Sequence, residues 1–340
     1  MKYAAIDIGT NTLRLLIAEA DSSGRLSPLV YRRAITRLGG SYTESAGIDP
    51  MSAQRTFAAL EEFKRVIDEV GVESVEAAAT SVVRRAGNKK WFLSEIEKKT
   101  GISVSVISGE EEARLSLLGV LSVLNDPRGC DTPRGRRLVM DIGGGSTEFI
   151  ATDDGGIRGV WSMEMGVVHL TETHLKSDPP QDAEIKALRG EIGAVMGELK
   201  AGMANAGVNP ADYSMASGAV FVGTAGTVTT LAALDQGLEV YDRTRINNAT
   251  LSRPRVERLY RYLVGLTLRE RQTVLNLEKG REDLIISGAL IAIAAMDEFG
   301  FEEIKVSDAG LLEGIVIKKN SGRVAPSQRE VEAKARKAEV

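Results

Sequence analysis

Soft metal ligands are scarce in this 340-residue chain, which has one cysteine, Cys130, and two histidines, His169 and His174. One cysteine cannot close an internal disulfide. The histidines lie five apart in a segment without cysteine. That argues against a zinc site, which wants more soft ligands at tighter spacing, and leaves a hard cation held by oxygen as the open alternative. Charge of one sign is lacking too: 43 Lys and Arg stand against 47 Asp and Glu, a net charge of −4, with acids and bases well mixed. Without a global field to steer the chain onto nucleic acid, any anionic substrate has to be met by a local site. No apolar run approaches the roughly 20 residues of a membrane span. The opening "MKYAAIDIGTNTLRLLIAEA" reads as a strand entering a turn and lacks the unbroken apolar core and cleavage site of a signal peptide. The expectation is a cytoplasmic protein that binds neither nucleic acid nor membrane.

What is present is enough hydrophobic content, 43%, for a large core, and a length that usually means two domains. Internal similarity supports two. Residues 3–24, "YAAIDIGTNTLRLLIAEADSSG", and 138–156, "LVMDIGGGSTEFIATDDGG", share one plan: a buried strand, Asp-Ile-Gly, a turn of small and hydroxyl residues, a second strand and a polar turn. Each reads as a β-hairpin followed by helical segments. In the first half, Phe57, Leu60, Phe63, Val66 and Ile67 recur at helical spacing over 51–71. A strand ending in a turn ("SVEAAATSVVRRAGN"), a helix ("WFLSEIEKKTG"), a strand ("ISVSVIS") and a helix to about Leu124 follow. The polar "NDPRGCDTPRGRR" (125–137) reads as the domain linker. Beyond it the pattern predicts a helix over 181–205, a strand-turn-helix over 219–234, helices over 252–265 and 281–298, and a strand, glycine turn and terminal helix over 303–319. The domains expected are 1–125, completed by the C-terminal helix near 306–320, and 126–305, with a charged tail over 321–340.

The glycine turns carry the first chemical signal. Backbone N–H groups pointing from such a turn make a concave anion site, and glycine permits both positive φ and close approach. "DIGTNT" offers Gly9, Thr10, Asn11 and Thr12, and "DIGGGST" offers Gly143, Gly144, Gly145, Ser146 and Thr147. Asp7 and Asp141, at the ends of buried strands, would repel a bare phosphate unless they hold Mg2+ (or Mn2+) or its waters. The alternative for either turn is a plain hairpin with a solvated acid; two copies facing one another across a cleft favour phosphate. A third turn, "GTAGT" (223–227), places Gly223 and Thr224 before a helix N-terminus, where the dipole also favours an anion, with a tight packing turn as its alternative.

The second signal is acidic, in "VISGEEEARLSLLGV". Ser108 followed three residues later by Glu111 fits a capping box, with Glu111 reaching back to the Ser108 amide. Glu110 reads as an exposed acid complementing the helix dipole. Glu112 shares a helical stripe with Leu115, Ser116 and Gly119 and so points inward. It is either a working carboxylate or a partly buried acid paired with Arg114 or Arg84.

The order DIGTNT, "ATSVVRRAGN", "ISGEEEARL", DIGGGSTE, GTAGT and "SDAGLLEG" resembles the exopolyphosphatase and guanosine pentaphosphate phosphohydrolase family over about residues 1–318. The resemblance implies an α/β fold of two ribonuclease H-like domains of the actin, sugar kinase and heat-shock chaperone superfamily, with mixed sheets flanked by helices and a cleft between them. It implies Mg2+-dependent hydrolysis of a terminal phosphoanhydride, with inorganic polyphosphate or guanosine penta- or tetraphosphate as partner, and leaves a homodimer open. By carry-over Glu112, rather than Glu111, is the general base, Glu148 an acid assisting metal or water, and Arg84, Asn88 and Arg37 phosphate contacts. Arg85 stands where many relatives carry an acid and reads as a surface charge. The chain departs from the family where it has "RINNATLS" (245–252) for Val-His-Gly and "LLEG" (311–314) for "LREG", which implies altered substrate contacts more than lost hydrolysis. Lacking the large C-terminal extension of longer relatives, it is expected to favour short or medium polyphosphate. A non-catalytic guanosine tetra- or pentaphosphate sensor and a sugar- or acetate-type kinase are the readings to weigh against a hydrolase.

Overall fold

The computed structural model describes residues 1–21, 26–40, 42–43, 45–124, 135–274 and 280–324. Most of the expected linker (125–137), Cys130 and most of the tail (321–340) lie outside the described residues.

Two sheets repeat one plan. The first holds β1 (Lys2–Ile8), β2 (Thr12–Ala20), β3 (Leu26–Ile35), β4 (Ser74–Ala79) and β5 (Val104–Val106) in the order β3-β2-β1-β4-β5. The second holds β6 (Arg137–Ile142), β7 (Thr147–Asp153), β8 (Gly156–Met163), β9 (Val220–Thr224), β10 (Thr250–Ser252) and β11 (Glu303–Val306), ordered β10-β11-β9-β6-β7-β8. In each half an antiparallel hairpin, β1/β2 or β6/β7, takes a third antiparallel strand on one side and a parallel strand, β4 or β9, on the other. The mixed sheets and flanking helices are the α/β architecture expected from the sequence.

The outer strand of the first sheet escapes a periodicity reading. β3 is an edge strand with exposed positions and Pro28 opposite Ala18, so it carries no apolar stripe. The turn expected after β4 is instead a short helix, Ser81–Arg85.

Helices cover both faces. Those of the first half are α1 (Pro50–Val70), α2 (Ser81–Arg85), α3 (Lys89–Thr100) and α4 (Gly109–Val123). The second half adds α5 (Val167–His174), α6 (Asp182–Asn205), α7 (Ala225–Asp235), α8 (Arg243–Ile246), α9 (Arg253–Val264), α10 (Leu268–Val274), α11 (Ile285–Phe299) and α12 (Leu311–Val324). Local signals set their ends: Asp49 caps α1 by accepting from Ser52 N at 2.9 Å, and Gly71 stops it with φ 66°. Strand alternation divides the core. Ala4, Ile6 and Ile8 pack under α1 and α3 with Phe57 and Phe92, whereas Tyr3 and Ala5 face Leu312, Ile315 and Val316 of α12. α11 is buried nearly all round, which explains its almost unbroken apolar run.

The middle layer joins the halves. α4 turns Ala113, Leu117 and Val120 onto Val139, Ile150 and Val222 of the second sheet, while its Leu115 joins the cluster under α12. α4 and α12 cross backbone to backbone. A Cβ built on Gly119 would lie 1.9 Å from Gly310 O, and one on Gly314 would lie 1.8 Å from Leu115 O. Backbone cannot retreat as a side chain can, so Gly119→Ala is expected to lower stability by about 2 kcal/mol or more. Gly190→Ala in α6, where the added methyl meets nothing within 4 Å, is expected to raise it by up to about 1 kcal/mol. Thermal denaturation of the two variants beside the parent checks both signs.

Candidate active site

The two hairpin turns are built alike. Gly9 N donates to Thr12 O at 3.1 Å and Gly143 N to Ser146 O at 2.9 Å, and a Cβ on either glycine would lie 2.8 Å from the accepting oxygen. The tips meet: a Cβ on Gly144 would lie 3.2 Å from Asn11 N, and one on Gly145 2.6 Å from Thr10 Oγ1 and 2.7 Å from Ser81 Oγ. Between and beside them is a cavity of about 90 Å3 bordered by Thr10, Asn11, Thr12, Gly143, Gly144, Gly145 and Ser146. Its floor carries Asp7, Asp141 and Glu112, and its far wall is Gly226 and Arg281. A Cβ on Gly226 would lie 1.0 Å from Arg281 Nη1, so any larger residue there would displace that guanidinium.

Charge is concentrated on this floor. Arg14 Nε donates to Asp7 Oδ2 at 2.8 Å, leaving Asp7 Oδ1 buried with no hydrogen-bond partner. Ser116 Oγ donates to Asp141 Oδ2 at 2.5 Å, yet burial holds the Asp141 carboxyl above the usual range. Glu148, 1% exposed, accepts from Ser162 Oγ at 2.7 Å; burial, then the nearby Asp141, push it up to about 7. Glu112 accepts from Arg84 Nη1 at 3.1 Å. Burial, with Glu148 next in size, drives it well above the ordinary glutamate value despite that arginine. Arg281 is pushed down to about 10, first by burial and then by Arg14.

These donors suit a hard divalent cation. Asp7 Oδ1 lacks a partner and Asp141 and Glu148 bring further carboxylate oxygens, while among the described residues no group of three His, Cys, Asp or Glu could hold a metal by itself. Mg2+ is commonly held this way, by one or two carboxylates with waters and substrate oxygens completing its shell.

The three neighbouring glutamates separate. Glu110 pairs with Arg114 at 2.6 Å. Ser108 caps α4 by accepting from Glu111 N, but the Glu111 carboxylate reaches Lys318 Nζ of α12 at 2.8 Å instead of returning to the Ser108 amide. Glu112 alone enters the cavity, and of its two suggested partners the structure gives it Arg84.

Several expected phosphate contacts lie elsewhere. Asn88 exchanges both amide hydrogen bonds with Ile48, accepting from its N and donating to its O at 2.9 Å, and so pins the loop before α1. Thr147 Oγ1 donates to Met165 O beneath its turn. Gly223 lies inside β9 against Ile304 and Val228, and Thr224 Oγ1 donates to Ala309 O. In GTAGT it is Ala225, Gly226 and Thr227 that face the cavity, with Ala225 at φ 66°. Gly9 closes its turn without bordering the cavity, and Arg37 pairs with Asp283 at 2.8 Å. Arg14, Ser81, Ser116 and Arg281 were not singled out from the sequence. An arginine inside the apolar strand "TLRLLIAEA" is the one signal that could have found Arg14.

The departures turn out to be packed. Leu312 is 2% exposed in the cluster under α12, Asn247 Oδ1 accepts from Asp308 N, and Asn248 Nδ2 donates to Val123 O at the end of α4. A second cavity of about 310 Å3 adjoins the first, sharing Arg14, Asp141 and Arg281 and adding Tyr31, Tyr241, Arg33 and Arg243.

The model of the Ppx/GppA phosphatase family matches residues 16–321. Exopolyphosphatase 2 of Mycobacterium tuberculosis is 30% identical over 328 residues, covering 93% of this chain and 98% of the relative. The guanosine-5'-triphosphate,3'-diphosphate pyrophosphatase of Aeromonas hydrophila is 25% identical over 92% of this chain, which spans 58% of that relative. The crystal structure of the Aquifex aeolicus Ppx/GppA family member superposes with a TM-score of 0.77 at 32% identity, covering 96% of this chain and 99% of the other.

The raised carboxyl of Glu148 has a sign that can be measured. Its proton is lost near 4.5 in the unfolded chain and near 7 in the fold. Stability from this group is therefore full below about 4.5 and lost as pH rises to about 7, on the order of 3 kcal/mol at most. Glu148→Gln removes that penalty, so without divalent metal its melting temperature is expected to exceed the parent's by several degrees at pH 8 and to match it near pH 4.5. Equal differences at both pH values would count against a raised Glu148.

Proposed function

Because the chain belongs to the Ppx/GppA phosphatase family, we propose that it hydrolyses the terminal phosphoanhydride of inorganic polyphosphate and releases orthophosphate. The observation that carries this reading is the placement of the half-buried Glu112 carboxylate in the same cavity as two glycine turns of matching geometry.

Each group has a task under this reading. The turns and the hydroxyls of Thr10, Thr12 and Ser146 receive the terminal phosphoryl oxygens, and Arg14 and Arg281 supply positive charge beyond them. Glu112 orients a water and takes its proton as the water oxygen bonds to phosphorus and the bridging P–O bond breaks, the electron pair leaving with the shortened chain. Burial and the nearby Glu148 raise the proton affinity of Glu112, which suits a base, and Arg84 fixes its direction. Enzymes of this family generally depend on a divalent metal. Mg2+ is the cation we assign, which Asp7 and Asp141 would hold with Glu148 close by; when bound it would neutralise charge on the transferring group.

Guanosine pentaphosphate is the second substrate, favoured by the adjoining 310 Å3 cavity with Tyr31, Tyr241 and its arginines, which is larger than a terminal phosphate needs. A sensor would use the same two cavities to bind guanosine tetra- or pentaphosphate without releasing phosphate. A kinase would transfer phosphate from ATP to an acceptor.

Phosphate release from polyphosphate of several lengths and from guanosine pentaphosphate, with Mg2+, separates these readings. Glu112→Gln is expected to lower kcat about 100- to 10,000-fold with KM little changed, and chelation of the metal is expected to abolish turnover reversibly. Unchanged turnover in Glu112→Gln removes Glu112 from the chemistry; tight nucleotide binding without release identifies a sensor.

A further inference from the structure

The loop after β3 carries a feature that hydrolysis alone does not require. Arg37 has φ 47°, a left-handed conformation that costs a side-chain-bearing residue on the order of 1 kcal/mol. Its backbone is fastened to the first glycine turn: Thr36 N and Arg37 N both donate to Asn11 O, at 3.1 and 2.9 Å, and Gly39 N donates to Thr10 O at 2.7 Å. A Cβ on Gly39 would lie 2.3 Å from Thr10 Cγ2, so loop and turn are in close contact. The guanidinium is therefore positioned by the same backbone that forms the phosphate turn.

That guanidinium is engaged by a carboxylate from the other half. Arg37 Nη1 donates to Asp283 Oδ2 at 2.8 Å and Nη2 to Oδ1 at 3.0 Å, a fork-to-fork pair. Asp283 lies between Arg281 and Leu284, both of which border the cavity. Glu172 of α5 faces the same pair, and its carboxyl is raised by burial, lowered by Arg37 and raised by Asp283. α5 is in turn tied to the second glycine turn, since Val167 N and Val168 N donate to Gly143 O and Gly144 O at 3.1 and 2.9 Å. Outside the cavity lining itself, the segments fastened to the two glycine turns and the one that follows Arg281 thus bring together one guanidinium and two carboxylates.

We propose that Asp283 is an internal stand-in for a phosphate of the substrate: it holds the Arg37 guanidinium in place until a polyphosphate oxygen pair displaces it, and so sets substrate affinity by competition. The proposal rests on the phosphoanhydride reading above. The fork of a guanidinium fits two carboxylate oxygens and two phosphate oxygens alike. With side chains 44% and 27% exposed, the pair is worth less than about 1 kcal/mol, which a multiply charged chain can overcome. Displacement also releases a bond between the two halves of the molecule, so that binding and cleft opening share one step. Asp283 is in this sense a positioning residue that acts through Arg37.

The test is calorimetric binding of short-chain inorganic polyphosphate with Mg2+ in the Glu112→Gln background, where the chain is not consumed. Adding Asp283→Asn is expected to tighten Kd about threefold to fivefold, adding Arg37→Gln to weaken it by a similar factor, and Asp283→Glu to restore the parent value. The combination Arg37→Gln with Asp283→Asn is expected to bind like Arg37→Gln alone, because Asp283 acts only through Arg37. Binding by Asp283→Asn that is unchanged or weaker, or additive effects in the combination, overturns the proposal while leaving the hydrolase reading intact. Failure of the Glu112→Gln parent to bind polyphosphate overturns both. Melting temperatures report folding, and Asp283→Ser replaces Asp283→Asn if that variant is unstable.

Discussion

A cavity shaped for a polyanion is floored by carboxylates, and that contradiction organises the molecule. Asp7, Glu112 and Asp141 border the space between the turns, and Glu148 lies close enough to raise Glu112. Like charges in a low-dielectric interior repel strongly. The fold answers with specific donors: Arg14 on Asp7, Ser116 on Asp141, Arg84 on Glu112 and Ser162 on Glu148. What these donors leave uncompensated is negative and oxygen-rich. On the proposed reading, affinity for a divalent cation and affinity for phosphate would therefore be one property of the site.

Duplication supplies the scaffold. Two sheets of the same order, β3-β2-β1-β4-β5 and β8-β7-β6-β9-β11, each present a hairpin whose first strand ends in an aspartate and whose turn is closed by the same glycine N–H bond. Asp7 and Asp141 are therefore equivalent positions, and bringing the hairpins tip to tip pairs them. What breaks the symmetry is Glu112, which comes from α4 and has no counterpart in the hairpin repeat. A symmetric pair of turns thus acquires a direction, with the Glu112 carboxylate on one side only.

The repeated phrase Asp-Ile-Gly, the polar turns and the inward stripe of α4 were legible because each is local: strand period, glycine and helical spacing announce themselves within a dozen residues. Glu112 followed from Leu115, Ser116 and Gly119 on one face. What was not legible depends on approach between distant segments. Nothing near Arg281 in sequence shows that it will lie against Gly226, and nothing near Ser116 shows that it will meet Asp141 across the helix-to-sheet contact. Asn88 and Thr147 have residue types suited to phosphate, but Ile48 and Met165 engage them first. Edge strand β3 was hidden for another reason: its exposed face erases the alternation by which strands are recognised.

The crossing of α4 and α12 sets a distance. Gly119, Gly310 and Gly314 bring bare backbone into contact, while Leu115 beside them packs with Leu312, Ile315 and Val316. Any larger residue at the glycines would have to push one helix away from the other. Because Glu112 lies in the first turn of α4 and Leu311, at the cavity wall, begins α12, the absence of three side chains at the crossing also fixes how near these two residues stand at the cavity.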